Sequence, residues 1–260
     1  MEYDVTIDRD KYIGGSDISV IMGLSPFKTR WQLLLEKAGL ADSDSYGSKY
    51  TAYGHAMEPK IRDYINELYF TNYAPDRKYS GVLRCHVDGQ NGTSILEIKT
   101  TSHVFDDLNE YKQYLVQLLT YMDVYGYDKG ILAVYARPED FSPEFDPERL
   151  QIYEIDISEY KLLLSEIKTE LGRFLSDLER FKTNPLLSEE DFQPNELVTL
   201  SNKVIAFENQ LAQYKEIERQ YAEMKKQLYE AMIKYDVKSW ETVSGVRITR
   251  VDGIKAKLRS

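Results

Sequence analysis

Two acids and a lysine in one short stretch have the types and spacing to hold a hard cation beside a phosphate. In CHVDGQNGTSILEIKTT, residues 85–101, Asp88 closes one run of alternating residues, and Glu97 and Lys99 lie two apart in the next. A strand repeats every two residues, so Glu97 and Lys99 share a face. Mg²⁺ is bound by oxygen, usually through one or two carboxylates, with water and phosphate filling its other positions. A lysine at such a place can orient an attacking water or neutralise phosphate charge. A solvated face on an edge hairpin is the alternative reading of so short a motif.

A hairpin must position these side chains. Leu83, Cys85 and Val87 alternate with more polar positions, Asn91-Gly92 supplies turn chemistry within residues 90–94, and β-branched residues resume at strand spacing from Ile95 to Thr101. A strand over Tyr79–Cys85 is expected to feed it. Upstream, Gly14-Gly15-Ser16-Asp17 reads as a turn in which Ser16 or Asp17 caps a short helix buried through Ile18, Ile21 and Met22. The same turn can instead present backbone N–H groups and the Ser16 hydroxyl to a phosphate. Ser25-Pro26 is expected to open a second helix, with Trp31, Leu34 and Leu35 inward and Gly39 as its stop.

After a polar loop at residues 41–50, a helix is expected to run to about Phe70, buried through Ile61, Ile65 and Leu68. Glu58 stands just before Pro59, in what reads as the first turn, where the helix dipole favours an acid. It would also supply a third carboxylate to a two-acid site. A helix from about Asn109 to Tyr125 follows, with Gln117 at the edge of its apolar face, then strands over Gly130–Ala136 and Leu150–Ile157. The fold class is thus α/β (α+β), a mixed central sheet flanked by helices. An amphipathic helix at residues 158–182 ends this part.

Residues 185–194 read as a linker, dividing a core at residues 1–184 from an appendage at 185–260. Past it, apolar residues from Val204 to Tyr235 step by three and four along one long helix, with one slip between Tyr214 and Ile217. That seam is expected to pack on the 158–182 helix, or else on a partner subunit. A small hairpin around Ser244-Gly245 closes the chain.

Composition excludes several chemistries. The single cysteine, Cys85, rules out an internal disulfide and any clustered-cysteine zinc or iron–sulfur site, and three histidines suggest no imidazole cage. A metal must therefore rest on carboxylates. A formal net charge of −10 argues against binding nucleic acid through bulk positive charge, though not against a locally basic groove. Arg9, Lys28, Arg30, Lys60 and Arg62 are the expected lining. No apolar run reaches bilayer length and MEYDVTIDRD lacks the regions of a signal peptide, so a cytoplasmic protein with no membrane partner is expected.

Taken in order, IGGSDISVIMGLSPFKTRWQLLLEKAGL, YGHAMEPKIRDYINE, HVDG followed by LEIKTT, and YLVQLLTYMDVYG resemble the YqaJ-like viral recombinase family, relatives of lambda exonuclease in the PD-(D/E)XK nuclease superfamily. The likeness covers about residues 9–157. It implies a restriction-endonuclease-like fold and Mg²⁺ as cofactor, as two ions, with Mn²⁺ a possible substitute. It also assigns roles: Asp88, Glu97, the Ile98 backbone carbonyl and Glu58 as metal ligands, Lys99 as the catalytic lysine, and Gln117 as the helix glutamine of the same site. Ser16 and Arg9 correspond to residues that receive the DNA phosphate. The activity implied is a 5′-to-3′ exonuclease acting on linear double-stranded DNA ends in a bacterial host, making single-stranded tails for an annealing protein. A homo-oligomer, a trimer by resemblance, goes with it. An endonuclease of the same superfamily and a noncatalytic protein binding DNA ends or a recombinase are the alternatives. Val87 stands where the superfamily's name has a proline.

Overall fold

The structure, a computed structural model, describes residues 11–41, 49–250 and 256–259. Its described chain runs β1 (Ile13–Gly14), α1 (Gly15–Ile21), α2 (Arg30–Lys37), α3 (Lys49–Leu68), β2 (Ala74–Ser80), β3 (Leu83–Gln90), β4 (Ser94–Thr101), α4 (Lys112–Tyr125), β5 (Lys129–Ala136), β6 (Leu150–Asp156), α5 (Lys161–Thr183), α6 (Asn195–Lys234), β7 (Ser239–Glu241), β8 (Arg247–Arg250) and β9 (Ala256–Arg259). It divides into two units, Met1–Leu187 and Ser188–Ser260.

The first unit is built on a mixed sheet in the order β1-β3-β4-β5-β6, with β2 also paired to β3. β4 and β5 run parallel, and β3/β4 and β5/β6 run antiparallel. This is the arrangement expected, a mixed sheet between helices. Alternation along β4 and β5 assigns the two faces. Leu96, Ile98, Ile131, Ala133 and Tyr135 pack with Tyr53, Met57, Ile61 and Ile65 of α3. The opposite face meets α4, where a Cβ on Gly130 would come 2.7 Å from the Met122 sulfur. Helices α1, α2 and α5 complete that layer; Trp31 of α2, for example, meets Phe181 of α5 edge-on at 5.3 Å between ring centroids. β5 is buried on both faces, which is why it reads as a continuous apolar run.

Several local expectations change, among them Leu68, which is 48% exposed rather than buried. The Tyr79–Cys85 strand is two strands, because Gly81 turns the chain at φ +56 between β2 and β3. α2 begins later than Ser25-Pro26: Thr29 is its cap, accepting the Gln32 N–H at 3.1 Å while Gln32 Oε1 accepts the Thr29 N–H at 2.8 Å. α3 begins by Lys49, so Glu58 and Pro59 lie inside it and Glu58 has no first-turn dipole benefit.

In the second unit α6 spans 40 residues. Near its end Leu228, Tyr229 and Met232 pack with Ile248 of β8. The terminal hairpin gains a third strand, giving the sheet β7-β8-β9. Val204, Phe207, Leu211, Tyr214, Ile217 and Tyr221 are exposed along α6, and within this unit nothing described covers them.

Candidate active site

The hairpin forms as the spacing predicts. Gly92 takes φ +89, and the Asn91 side-chain oxygen accepts the N–H of Thr93 at 3.1 Å and of Ser94 at 2.9 Å. Its ladder is short, however. β3 and β4 pair at Gly89↔Leu96 and Gln90↔Ile95, and then the strands part. The next step beyond Gly89 and Leu96 is occupied by Asp88 and Glu97. There Asp88 Oδ2 accepts the Ile98 N–H at 2.7 Å, a side chain standing in for the lost ladder bond. N–H and C=O of one extended residue leave on the same strand edge, so the Ile98 carbonyl also faces this gap.

Glu97 is 1% exposed and points to α4. Its Oε1 accepts from Lys99 Nζ at 2.6 Å and from Gln117 Nε2 at 2.7 Å, while its Oε2 is buried with no hydrogen-bond partner. Gln117 also donates to the Tyr121 hydroxyl at 3.1 Å. The Tyr121 hydroxyl lies against Gly15, where a Cβ would come within 2.2 Å of it. The Gly14-Gly15 turn is therefore linked to the acid through Tyr121 and Gln117. Periodicity leaves Gln117 at the edge of an apolar face; its burial comes from the polar partner that β4 places opposite.

Electrostatics follow from this crowding. Burial raises the Asp88 carboxyl well above the usual range, helped by the nearby charges of Glu97 and Glu58 and opposed by Lys99 and the Ile98 N–H. Burial likewise raises Glu97, against the pull of Lys99. For Lys99, desolvation works to lower its pKa, but Glu97 and Asp88 together raise it above the ordinary lysine value. Burial pushes the nearby Cys85 thiol up to about 12, which makes it inert packing.

Glu58 is close enough to act on Asp88, yet its Oε1 is held by Arg62 at 2.9 Å, and Arg62 also donates to the Asp88 carbonyl at 2.8 Å. Among the described residues no three His, Cys, Asp or Glu side chains converge as a metal site. The oxygens facing the gap are those of Asp88, Glu97 and the Ile98 carbonyl. They suit a hard divalent cation, which needs only one or two carboxylates, and the orphaned Glu97 Oε2 is the buried acceptor such an ion would satisfy.

The expected phosphate contacts are placed unevenly. Ser16 is exposed in the first turn of α1. Capping there is done by Asp17, whose Oδ2 accepts the Gly14 N–H at 2.9 Å and meets Lys37 at 2.8 Å in a buried ion pair. Arg9 lies outside the described residues. Of the expected basic lining, Lys28 pairs with Glu36 and Arg30 with Asp177, each at 2.6 Å, and Lys60 donates to the Pro143 carbonyl at 2.5 Å. Only Arg62 of the described four bonds to the carboxylate site. Among the described residues no helix is long and apolar enough to cross a membrane.

Residues 6–128 match the family described as the YqaJ-like viral recombinase domain. A relative described as "Uncharacterized protein YqaJ" from Bacillus subtilis (strain 168) is 31% identical over 144 residues, 49% of this chain, and the chain spans 44% of that relative's length. Among solved structures, an alkaline exonuclease (LHK-Exo) from Laribacter hongkongensis is similar with TM-score 0.49 and 17% identity, over 68% of this chain and 93% of that one. A phage related exonuclease from Haemophilus somnus 129PT has TM-score 0.49 and 15% identity, over 66% and 93%. The matched segment contains the whole parted hairpin, Glu58 and Gln117. Over residues 6–128, this chain is similar to the YqaJ-like viral recombinase domain.

Proposed function

We propose that the chain is a metal-dependent deoxyribonuclease that digests linear double-stranded DNA 5′-to-3′, leaving single strands for an annealing protein. The observation that carries the reading is the gap between β3 and β4. Asp88, Glu97 and the Ile98 carbonyl face it, with Lys99 bonded to Glu97 and Gln117 bonded to the same oxygen. The likeness of residues 6–128 to the YqaJ-like viral recombinase domain supports the recombination context.

The reaction is hydrolysis of a phosphodiester: a water oxygen bonds to phosphorus, the bond to the leaving sugar oxygen breaks, and the leaving oxygen takes a proton. Asp88, Glu97 and the Ile98 carbonyl would hold Mg²⁺, and Glu58 would join them on release from Arg62. Bound there, the ion supplies an activated water and neutralises charge on the phosphate. Lys99, held protonated by Glu97 and Asp88, orients that water and offsets phosphate charge. Gln117 keeps Glu97 in place, and Tyr121 keeps Gln117 in place. Ser16 and Arg9 are proposed to meet the terminal 5′-phosphate, and a trimer is the proposed assembly.

The test uses Mg²⁺ and duplex DNA that is linear with 5′-phosphates, linear without them, or covalently closed. Loss of linear DNA alone, faster with the 5′-phosphate, is expected. Lys99→Ala should abolish cleavage while leaving DNA binding and circular dichroism unchanged; near-normal cleavage by that variant refutes the assignment. Cutting of closed circles would replace the exonuclease by an endonuclease, and Mg²⁺-independent binding without cleavage would leave a noncatalytic DNA-end protein.

A further inference from the structure

Two aromatic rings and two cations gather at the carboxyl ends of β4 and β5, apart from the acids. Lys49 Nζ stands 4.5 Å from the ring centroid of Phe141 and 5.3 Å from that of Tyr50. The Arg137 guanidinium carbon is 4.6 Å from the Tyr50 ring and 4.9 Å from the Phe141 ring. The two rings lie 5.4 Å apart. Tyr53, one turn further along α3, meets Phe141 edge-on at 5.7 Å, and its buried hydroxyl has no hydrogen-bond partner.

Three properties separate this cluster from ordinary surface packing. Tyr50 is 50% exposed, so part of its ring is accessible to a ligand. Phe141 takes φ +57, a left-handed conformation unfavourable for a bulky side chain, and the strained turn is what places its ring beside Tyr50. Among the described residues neither Lys49 nor Arg137 forms an ion pair, whereas Lys28, Arg30, Lys37, Arg62 and Lys99 all do. In a chain of net charge −10, two cations without an ion-pair partner among the described residues, set on partly exposed aromatic rings, call for an anionic, planar ligand.

The cluster's position ties it to the acids. Arg137 follows β5 directly, and its N–H donates to the Thr101 carbonyl at 2.7 Å. Thr101 is two residues past Lys99, about 7 Å along a strand. Tyr50 precedes Glu58 on α3 by about 12 Å at the helical rise. A duplex hides its base faces, while an unpaired strand offers them for stacking together with its phosphates.

We propose that Tyr50 and Phe141, with Lys49 and Arg137, form a stacking platform for an unpaired nucleotide strand: bases stack on the exposed Tyr50 face, and the two cations take adjoining phosphates. This rests on the nuclease reading and deepens it, because it makes the strand single where it passes the acids.

The full-length chain, in buffer with EDTA, is titrated into a single-stranded oligonucleotide carrying 2-aminopurine, and into the same strand with abasic positions. Stacking quenches 2-aminopurine emission on binding, and the abasic strand binds about tenfold more weakly. Tyr50→Ala removes the quenching and weakens binding about tenfold at unchanged thermal stability, and Arg137→Gln reduces the dependence of binding on salt. Wild-type quenching retained in Tyr50→Ala, or equal binding of the abasic strand, overturns the platform. Duplex cleavage without quenching also overturns it, and leaves the nuclease reading standing. Quenching without Mg²⁺-dependent cleavage upholds the platform and sinks the nuclease.

Discussion

At the scale of single residues, Glu97 is buried and Asp88 partly so, and the Glu97 charge opposes ionisation of Asp88. One carboxylate of such a pair is costly without a cation beside it. Asp88→Asn keeps an oxygen for the Ile98 N–H and removes one charge. In metal-free buffer at neutral pH it should raise the melting temperature by about 3 °C, roughly 1 kcal/mol. Added Mg²⁺ should stabilise the wild type and leave Asp88→Asn unmoved; a lower melting temperature for the variant, or an equal Mg²⁺ response, contradicts this account. Gly15 makes a second residue-scale prediction. A Cβ there would overlap the Tyr121 hydroxyl at 2.2 Å, whereas at Gly14 the nearest atom is 3.5 Å away. Gly15→Ala should cost about 2 kcal/mol in urea unfolding and lose cleavage by displacing Gln117, with Gly14→Ala within about 0.5 kcal/mol of wild type. Equal stability of the two variants removes the link between this turn and Glu97.

At the scale of elements, β3 carries site and core together. Asp88 serves the gap, Val87 and Cys85 serve the packing, and His86 shares the strand with Arg84 and faces Arg77 of β2. Burial, then the charges of Arg77 and Arg84, lower the His86 pKa to about 4. A histidine depressed below its unfolded value of about 6.5 stabilises the fold above that pH. That contribution is lost as pH falls from about 6.5 toward 4, because the unfolded chain takes up the proton first. Allowing for partial exposure, the loss is about 1 kcal/mol. His86→Gln should flatten the melting profile in that window, and an unchanged profile places the acid sensitivity elsewhere. α3 also has two duties: Met57 and Ile61 bury against the sheet, while Arg62 holds Glu58 and donates to the Asp88 carbonyl of β3.

At the scale of the whole molecule, the two units have separate cores. Residues 1–187 contain the sheet, its helices and every described side chain placed at the site. Leu228, Tyr229, Met232 and Ile248 form the small cluster of the other unit. Residues 1–187 produced alone should therefore unfold cooperatively in urea with a native near-ultraviolet circular dichroism spectrum. A spectrum without tertiary signal would show that the first unit depends on the second. The acidic balance matters at this scale too, since DNA must be held by local cations against a net charge of −10.

Much of this could be read in the sequence because it depends on near neighbours. Asn91-Gly92 makes a turn wherever it is placed, two-residue spacing puts Glu97 and Lys99 on one face, and the 130–136 apolar run has only a buried strand open to it. Other features depend on residues distant in the chain. Glu58 lies inside a helix because α3 starts earlier, and Pro59 is tolerated there despite its missing N–H because Met57 and Ile61 are buried on the sheet. Gln117 becomes a site residue only when β4 sets Glu97 opposite it, 20 positions away, and Tyr121 only when Gly15 closes over it. The basic residues scatter because each finds its own carboxylate or carbonyl, a choice made by tertiary proximity. By itself the sequence determined the hairpin, its acids and the order of elements, since backbone geometry and turn chemistry act locally. Tertiary structure alone decided that β3 and β4 part at Asp88 and Glu97, because a ladder breaks only where a side chain and packing from elsewhere take over its hydrogen bonds.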